Sequence, residues 1–149
     1  MATIAPVPPA HHLVVDRVAI LRRASLFATT PGRMLAGLAG RLEEVPFAAG
    51  DVLITAGVVE DWLLVLVDGE VEVQRPDGRV RMSPVDTIGE LAVLDPHPRV
   101  ATVTARTDGF AFRLHRRDFD EALRLRPEIA LNVITALARR LRETRERSE

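Results

Sequence analysis

Three Asp-Gly pairs, Asp68-Gly69, Asp77-Gly78 and Asp108-Gly109, cut the stretch from Leu42 to His115 into short apolar runs. Both residue types tolerate positive φ, so the pair is a strong signal for tight hairpins. Gly50 and Gly57 mark further turns. The runs between them read as strands: Val52–Thr55, Trp62–Val67, Val71–Arg75, Val80–Met82, Ala101–Arg106 and Phe110–Leu114. Many short strands separated by turns argue for a sandwich or barrel and against alternating βαβ units. The expected core, residues 42–115, is therefore a roughly eight-stranded antiparallel roll.

Helical patterns flank it. In residues 13–40, Val14, Val18 and Leu21 recur at helical spacing, and Met34, Leu35 and Leu38 supply a second apolar face. Thr30 before Pro31 predicts an N-cap with Pro at the first helical position. In residues 117–147, Phe119, Ala122 and Leu123 form one helix, which Pro127 interrupts before the next. Ile129, Val133, Ala136, Leu137 and Leu141 give that last helix its apolar face, with Ala130 and Leu131 beside it. Beyond Leu141 the chain is polar, with Glu143 and Arg147 spaced for an i,i+4 pair. The whole is mainly β with flanking helices, one domain over 13–149 behind an arm, 1–12, that carries Pro6, Pro8 and Pro9.

Composition removes several classes of function. There is no cysteine, which excludes disulfides, thiolate metal sites and cysteine-held iron–sulfur clusters and fits a cytoplasmic address. The formal net charge is -1, although all 20 basic residues are Arg, so no general attraction to nucleic acid or acidic membranes is expected. That Arg-only usage, with abundant Ala, Leu, Val, Gly and Pro, resembles the coding bias of a GC-rich bacterial genome. No apolar run approaches the ~20 residues of a membrane helix, and the arm lacks the basic start of a signal peptide. His11, His12, His97 and His115 show no metal-ligand spacing. No Ser/His/Asp set, phosphate-binding P-loop or paired-carboxylate motif stands out.

The segment Gly89–Val103, GELAVLDPHPRVATV, carries the chemistry. A Gly leads into a short turn of helix with an acidic residue, and an Arg follows after a loop. Amides at a helix start and a guanidinium can both hold the oxygens of a phosphate ester. A carboxylate can accept from a sugar hydroxyl. With no ligand present, Glu90 and Arg99 can instead pair with each other.

This segment resembles the phosphate-binding cassette of cyclic nucleotide-binding domains, and the resemblance runs from about Val14 to Glu146. Phe47–Leu53 is similar to that family's early strand–turn–strand, Val67–Val73 to its central hairpin, and residues 89–103 to its cassette. The resemblance implies a jelly-roll-like double-stranded β-helix and a regulatory, signal-transducing sensor of the catabolite activator type, without catalysis; DNA-reading members carry a winged helix-turn-helix after the long helix, and a sequence ending at Glu149 is expected to lack room for that DNA-binding domain. It implies that Arg99 pairs with the cyclic phosphate and Glu90 accepts from the ribose 2′-hydroxyl. Gly89 leads the turn, and the amides of Leu91, Ala92 and Ala101 face ligand oxygens. Arg139-Arg140-Leu141 is similar to part of the last helix of bacterial catabolite activators, which lies over the base, and on that register Thr144 contacts adenine. Val100 stands where the family often has Ser, Thr or Ala. It has no hydroxyl to offer guanine, which favours cAMP over cGMP. Val85 and Ile88 depart from the family's Gly and aromatic, and Met82 precedes the same loop.

Those departures motivate a second expectation, a ligand-free domain of the same fold that binds an effector protein or forms a homodimer. A DNA-reading role and a β-roll enzyme are weaker alternatives: the chain ends near the last helix, and it has no catalytic set.

Overall fold

A computed structural model of the chain describes residues 14–148. The arm with His11 and His12 lies outside the described residues, as does the side chain of Arg147 and with it the expected Glu143–Arg147 pair. Helices α1 (Val14–Arg23) and α2 (Gly32–Ala39) come first, bridged by a single 3₁₀ turn at Ser25–Phe27. Eight strands follow: β1 (Glu43–Phe47), β2 (Val52–Ile54), β3 (Trp62–Asp68), β4 (Val71–Arg75), β5 (Gly78–Met82), β6 (Asp86–Ile88), β7 (Thr102–Ala105) and β8 (Gly109–His115). Helix α3 (Leu91–Leu94) interrupts them between β6 and β7. Helices α4 (Arg116–Leu125) and α5 (Glu128–Ser148) close the chain. No described helix is long and apolar enough to cross a membrane.

The strands form two antiparallel four-stranded sheets, in the orders β1-β8-β3-β6 and β2-β7-β4-β5. Strand β3 explains the layering. Leu63 and Val65 face a core shared with the helices, which includes Leu21, Phe27, Leu35, Phe112, Phe119 and Ile129. Leu64 and Leu66 face a second core between the sheets, with Phe47, Ile54, Val71, Ile88 and Val103. A strand buried on both faces needs an unbroken apolar run rather than an alternating one, which is why Trp62–Val67 reads as it does.

The Asp-Gly expectation is corrected at two of its three sites. Asp77-Gly78 does close a hairpin, with Arg75 paired to Gly78 between β4 and β5. Asp68-Gly69 and Asp108-Gly109 instead carry the chain from one sheet to the other, because β3 does not pair with β4, nor β7 with β8. The central element at Val67–Val73 is thus a corner. The two corners touch: a Cβ on Gly69, at φ 95°, would stand 2.8 Å from the Asp108 carbonyl oxygen. Turn chemistry alone does not separate a corner from a hairpin, since both need the same backbone freedom.

Smaller differences follow from tertiary context. Strands β1 and β6 are absent from the runs picked out in the sequence: β1 carries Glu43, Glu44 and Pro46, and β6 is only three residues long. Thr30 does not cap α2. Pro31 takes the cap position, the helix begins at Gly32, and the buried Thr30 hydroxyl has no hydrogen-bond partner among the described residues. In α5, Ile129 and Val133 are buried and Leu137 packs against the core, but Leu131 (67% exposed), Ile134 (60%) and Leu141 (61%) face outward. The apolar face expected to seat the whole helix seats its first half.

Candidate functional site

Strand β6 delivers the chain to Gly89, whose φ of 74° belongs to the left-handed region. The turn lets α3 start at once. Ala92 donates its amide to the Gly89 carbonyl at 3.2 Å and Val93 donates to Glu90 at 3.3 Å. The Ala92 amide is thereby engaged in the turn itself. The return loop is clamped to residues 57–59: the Arg99 amide donates to the Val58 carbonyl at 2.9 Å, the Gly57 amide donates to the Arg99 carbonyl at 2.8 Å, and Val59 bridges Pro98. Both ends of the Arg99 backbone are therefore fixed before its side chain does anything.

That side chain is buried, with Arg99 only 7% exposed. A buried guanidinium is costly unless its charge and its donors are met. Nε donates to Glu60 at 3.3 Å, Nη1 to the Gly89 carbonyl at 3.2 Å and Nη2 to the Trp62 carbonyl at 2.6 Å. Its carbon centre lies 4.6 Å from the Trp62 ring centroid. An arginine has five N–H donors, and the three bonds above leave one N–H on each Nη. Gly89 is required here twice, since a Cβ on it would stand 2.5 Å from Arg99 Nη1.

The sequence left open whether Glu90 pairs with Arg99. It does not. Arg99 pairs with Glu60, and Glu90 accepts from Arg140 of α5. The Arg140 guanidinium also donates to the Ser25 hydroxyl at 2.6 Å and lies 4.0 Å from Asp86. One α5 side chain thus joins the last helix, the 3₁₀ turn and the cassette.

Ser25, Asp86, Glu90, Arg99 and Arg140 border a single cavity of about 720 Å³. Gly89, Glu90, Leu91, Ala92, Arg99, Val100 and Ala101 all line it, so the cassette residues singled out in the sequence converge on one space. Ile54, Val73, Ile88 and Val103 provide apolar wall from between the sheets, with Met82 and Arg75 from the β4–β5 hairpin. Ala136, Arg139, Arg140, Glu143 and Thr144 of α5 form the opposite side. Thr144 donates its hydroxyl to the Arg140 carbonyl at 3.0 Å. His97 also reaches the wall, from an exposed loop position.

Glu60, the stacking face of Trp62 and the Arg140 tie were missed in the sequence. Glu60 precedes β3 without any motif spacing, Trp62 reads as one more strand residue, and Arg140 is one arginine in a run. Only the topology brings them to the cassette. A wall with one buried cation, carboxylates and apolar surface suits a ligand with an anionic group, a hydroxyl and a flat apolar body.

The chain belongs to the cyclic nucleotide-binding domain family, whose model matches residues 44–125. It is 35% identical to a CRP-like cAMP-activated global transcriptional regulator of Mycobacterium tuberculosis, over 84% of this chain and 58% of that protein. It therefore spans somewhat more than half the length of that relative. Among solved structures, the N-terminal domain of a transcriptional regulator from Streptomyces coelicolor A3(2) superposes with a TM-score of 0.74 at 38% identity, covering 87% of this chain and 95% of that one. The catabolite activator protein of Thermus thermophilus superposes with a TM-score of 0.72 at 25% identity, covering 83% of this chain and 61% of that one. The two-sheet roll with flanking helices is the fold of this family.

Proposed function

We propose that this domain binds cAMP as a non-catalytic regulatory sensor. The observation that carries the reading is the geometry of Arg99, which is buried, backbone-clamped and left with one N–H on each Nη at the wall of a nucleotide-sized cavity. The cyclic phosphate accepts from those two donors, with the amides of Leu91 and Ala101 close by. The ribose 2′-hydroxyl donates to Glu90. The base lies against α5 near Thr144, and Val100 offers guanine no hydroxyl, so cAMP binds in preference to cGMP.

The mechanism is a population shift: a ligand that interacts differently with two arrangements of the protein favours one of them. Glu90 is the hinge of that coupling. A ribose arriving at Glu90 meets a carboxylate already bonded to Arg140, so occupancy of the cavity changes how firmly α5 is held. Calorimetric titration tests this with cAMP, cGMP and adenosine, on protein first checked for purine absorbance from carried nucleotide. The expected order is cAMP tightest, cGMP weaker, and adenosine, which lacks the phosphate, without measurable heat. Equal binding of cAMP and adenosine would remove Arg99 from the account.

A second reading has its own observation. Leu131, Ile134, Ala138 and Leu141 are exposed along one stripe of α5 at spacings of three, four and three residues, the pattern of a helix–helix seam. The stripe favours a homodimer or a helical effector partner on this face. Sedimentation with and without cAMP separates a ligand-responsive assembly from a constitutive one.

A further inference from the structure

We infer that Trp62 is a positioning residue for the phosphate grip: its indole is a shelf on which the Arg99 guanidinium is held flat and aimed into the cavity. The inference rests on the reading of Arg99 as the phosphate ligand.

Trp62 touches Arg99 in two ways. Its carbonyl accepts from Nη2 at 2.6 Å, and its ring centroid lies 4.6 Å from the guanidinium carbon. The first contact is backbone and any residue could supply it. The second needs an aromatic face, and an indole is the best of them for a cation. The site lies at the start of β3, at the edge of the inter-sheet core, where the ring packs against apolar residues. A second cation, Arg113, stands 4.3 Å from the same centroid and donates to Glu43 at 2.9 Å. The ring thus lies against two guanidiniums, Arg99 of the cassette and Arg113 of β8, the latter paired with Glu43 of β1.

The consequence for binding is preorganisation. A long arginine loses much rotamer freedom when it grips an anion. Here Glu60, Gly89 and Trp62 already hold the guanidinium at the cavity wall, so little of that freedom is left to lose on binding. An aliphatic side chain at 62 would leave the backbone acceptor in place and remove the shelf.

The test exploits the fact that Trp62 is the sole tryptophan, so fluorinated tryptophans replace it throughout the protein and nothing else. Successive fluorines weaken the negative face of the ring with little change in shape. The Arg99 Nε–H resonance, assigned by its loss in Arg99→Ala, is expected to shift and to exchange faster with solvent step by step along the series. cAMP affinity should fall in parallel, by about tenfold at the most fluorinated member. Trp62→Phe should retain most of the affinity, whereas Trp62→Leu should lose about tenfold and lose nothing further in the Arg99→Ala background. An Arg99 signal indifferent to fluorination overturns the inference, as does a Trp62→Leu loss that persists in full without Arg99. Should the unmodified protein bind no cyclic nucleotide, the phosphate reading fails, and the Nε–H series still decides whether the indole holds Arg99.

Discussion

Replacing Arg140 with Met should free the distal half of α5 while leaving the rest of the domain intact. The magnitude follows from what holds that half down. Ile129 and Val133 are the buried apolar residues of the helix, and they lie in its first two turns. Beyond Leu137 the helix is tied to the body by Arg140, which bonds to Glu90 and to the Ser25 hydroxyl. The Arg140 side chain is 34% exposed and that of Glu90 is 18% exposed, so the ion pair is discounted for solvent screening to about 1 kcal/mol. The bond to Ser25 adds roughly 0.5 kcal/mol. Methionine keeps the apolar stem and the helix propensity, so the loss is confined to these polar contacts. Their sum, about 1.5 kcal/mol, is roughly a tenfold shift in the local opening equilibrium. Hydrogen–deuterium exchange reads this directly. Amides from Leu141 to Thr144 should exchange about tenfold faster, and those around Val133 should not change. Unaltered exchange in the distal segment would show that Arg140 does not tether α5, and the coupling between Glu90 and the last helix would fall with it.

Three further outcomes are expected. Gly89→Ala places a side chain at φ 74° and 2.5 Å from Arg99 Nη1, so it should lower the melting temperature by an amount equivalent to about 1–3 kcal/mol and also weaken cAMP binding in calorimetry. Loss of stability alone would contradict the close approach. Glu60→Gln keeps an acceptor for Arg99 Nε but removes a negative charge near the phosphate, and should tighten cAMP binding by roughly fivefold. Weaker binding would mean that the carboxylate charge is needed to hold the guanidinium. Phe119→Ala deletes a fully buried ring that meets Phe27 edge-on at 6.5 Å and should cost about 3–5 kcal/mol in urea denaturation. A cost below ~1 kcal/mol would refute the placement of α4 on the helical core.

What was legible in the sequence depended on the range of the interactions. The run Trp62–Val67 was legible as a strand, and its burial on both faces explains why its sequence is continuously apolar rather than alternating. The cassette was legible because Gly89, Glu90 and Arg99 sit within one short segment and face one cavity. Asp68-Gly69 and Asp108-Gly109 were misread as hairpins because a corner between sheets makes the same local demand for positive φ or small size; only the pairing partners, far along the chain, tell them apart. Glu60 and the bond of Arg140 to Glu90 were illegible for the same reason. Each residue is of a common surface type whose importance comes from a neighbour 39 or 50 positions away. Outward-facing Leu131, Ile134 and Leu141 show the converse limit. Their apolar character is visible, but which stripe of α5 meets the roll is decided by how α4 and Pro127 aim the helix.

The central claim is that a cyclic phosphate is held by the Arg99 guanidinium. Titration of nucleotide-free protein with cAMP, side by side for the native chain and Arg99→Ala, tests it most directly. The account predicts saturable binding to the native chain and a loss of roughly two decades or more in affinity for the variant, with the variant's circular dichroism unchanged. Superimposable titration curves from two equally folded proteins would contradict it.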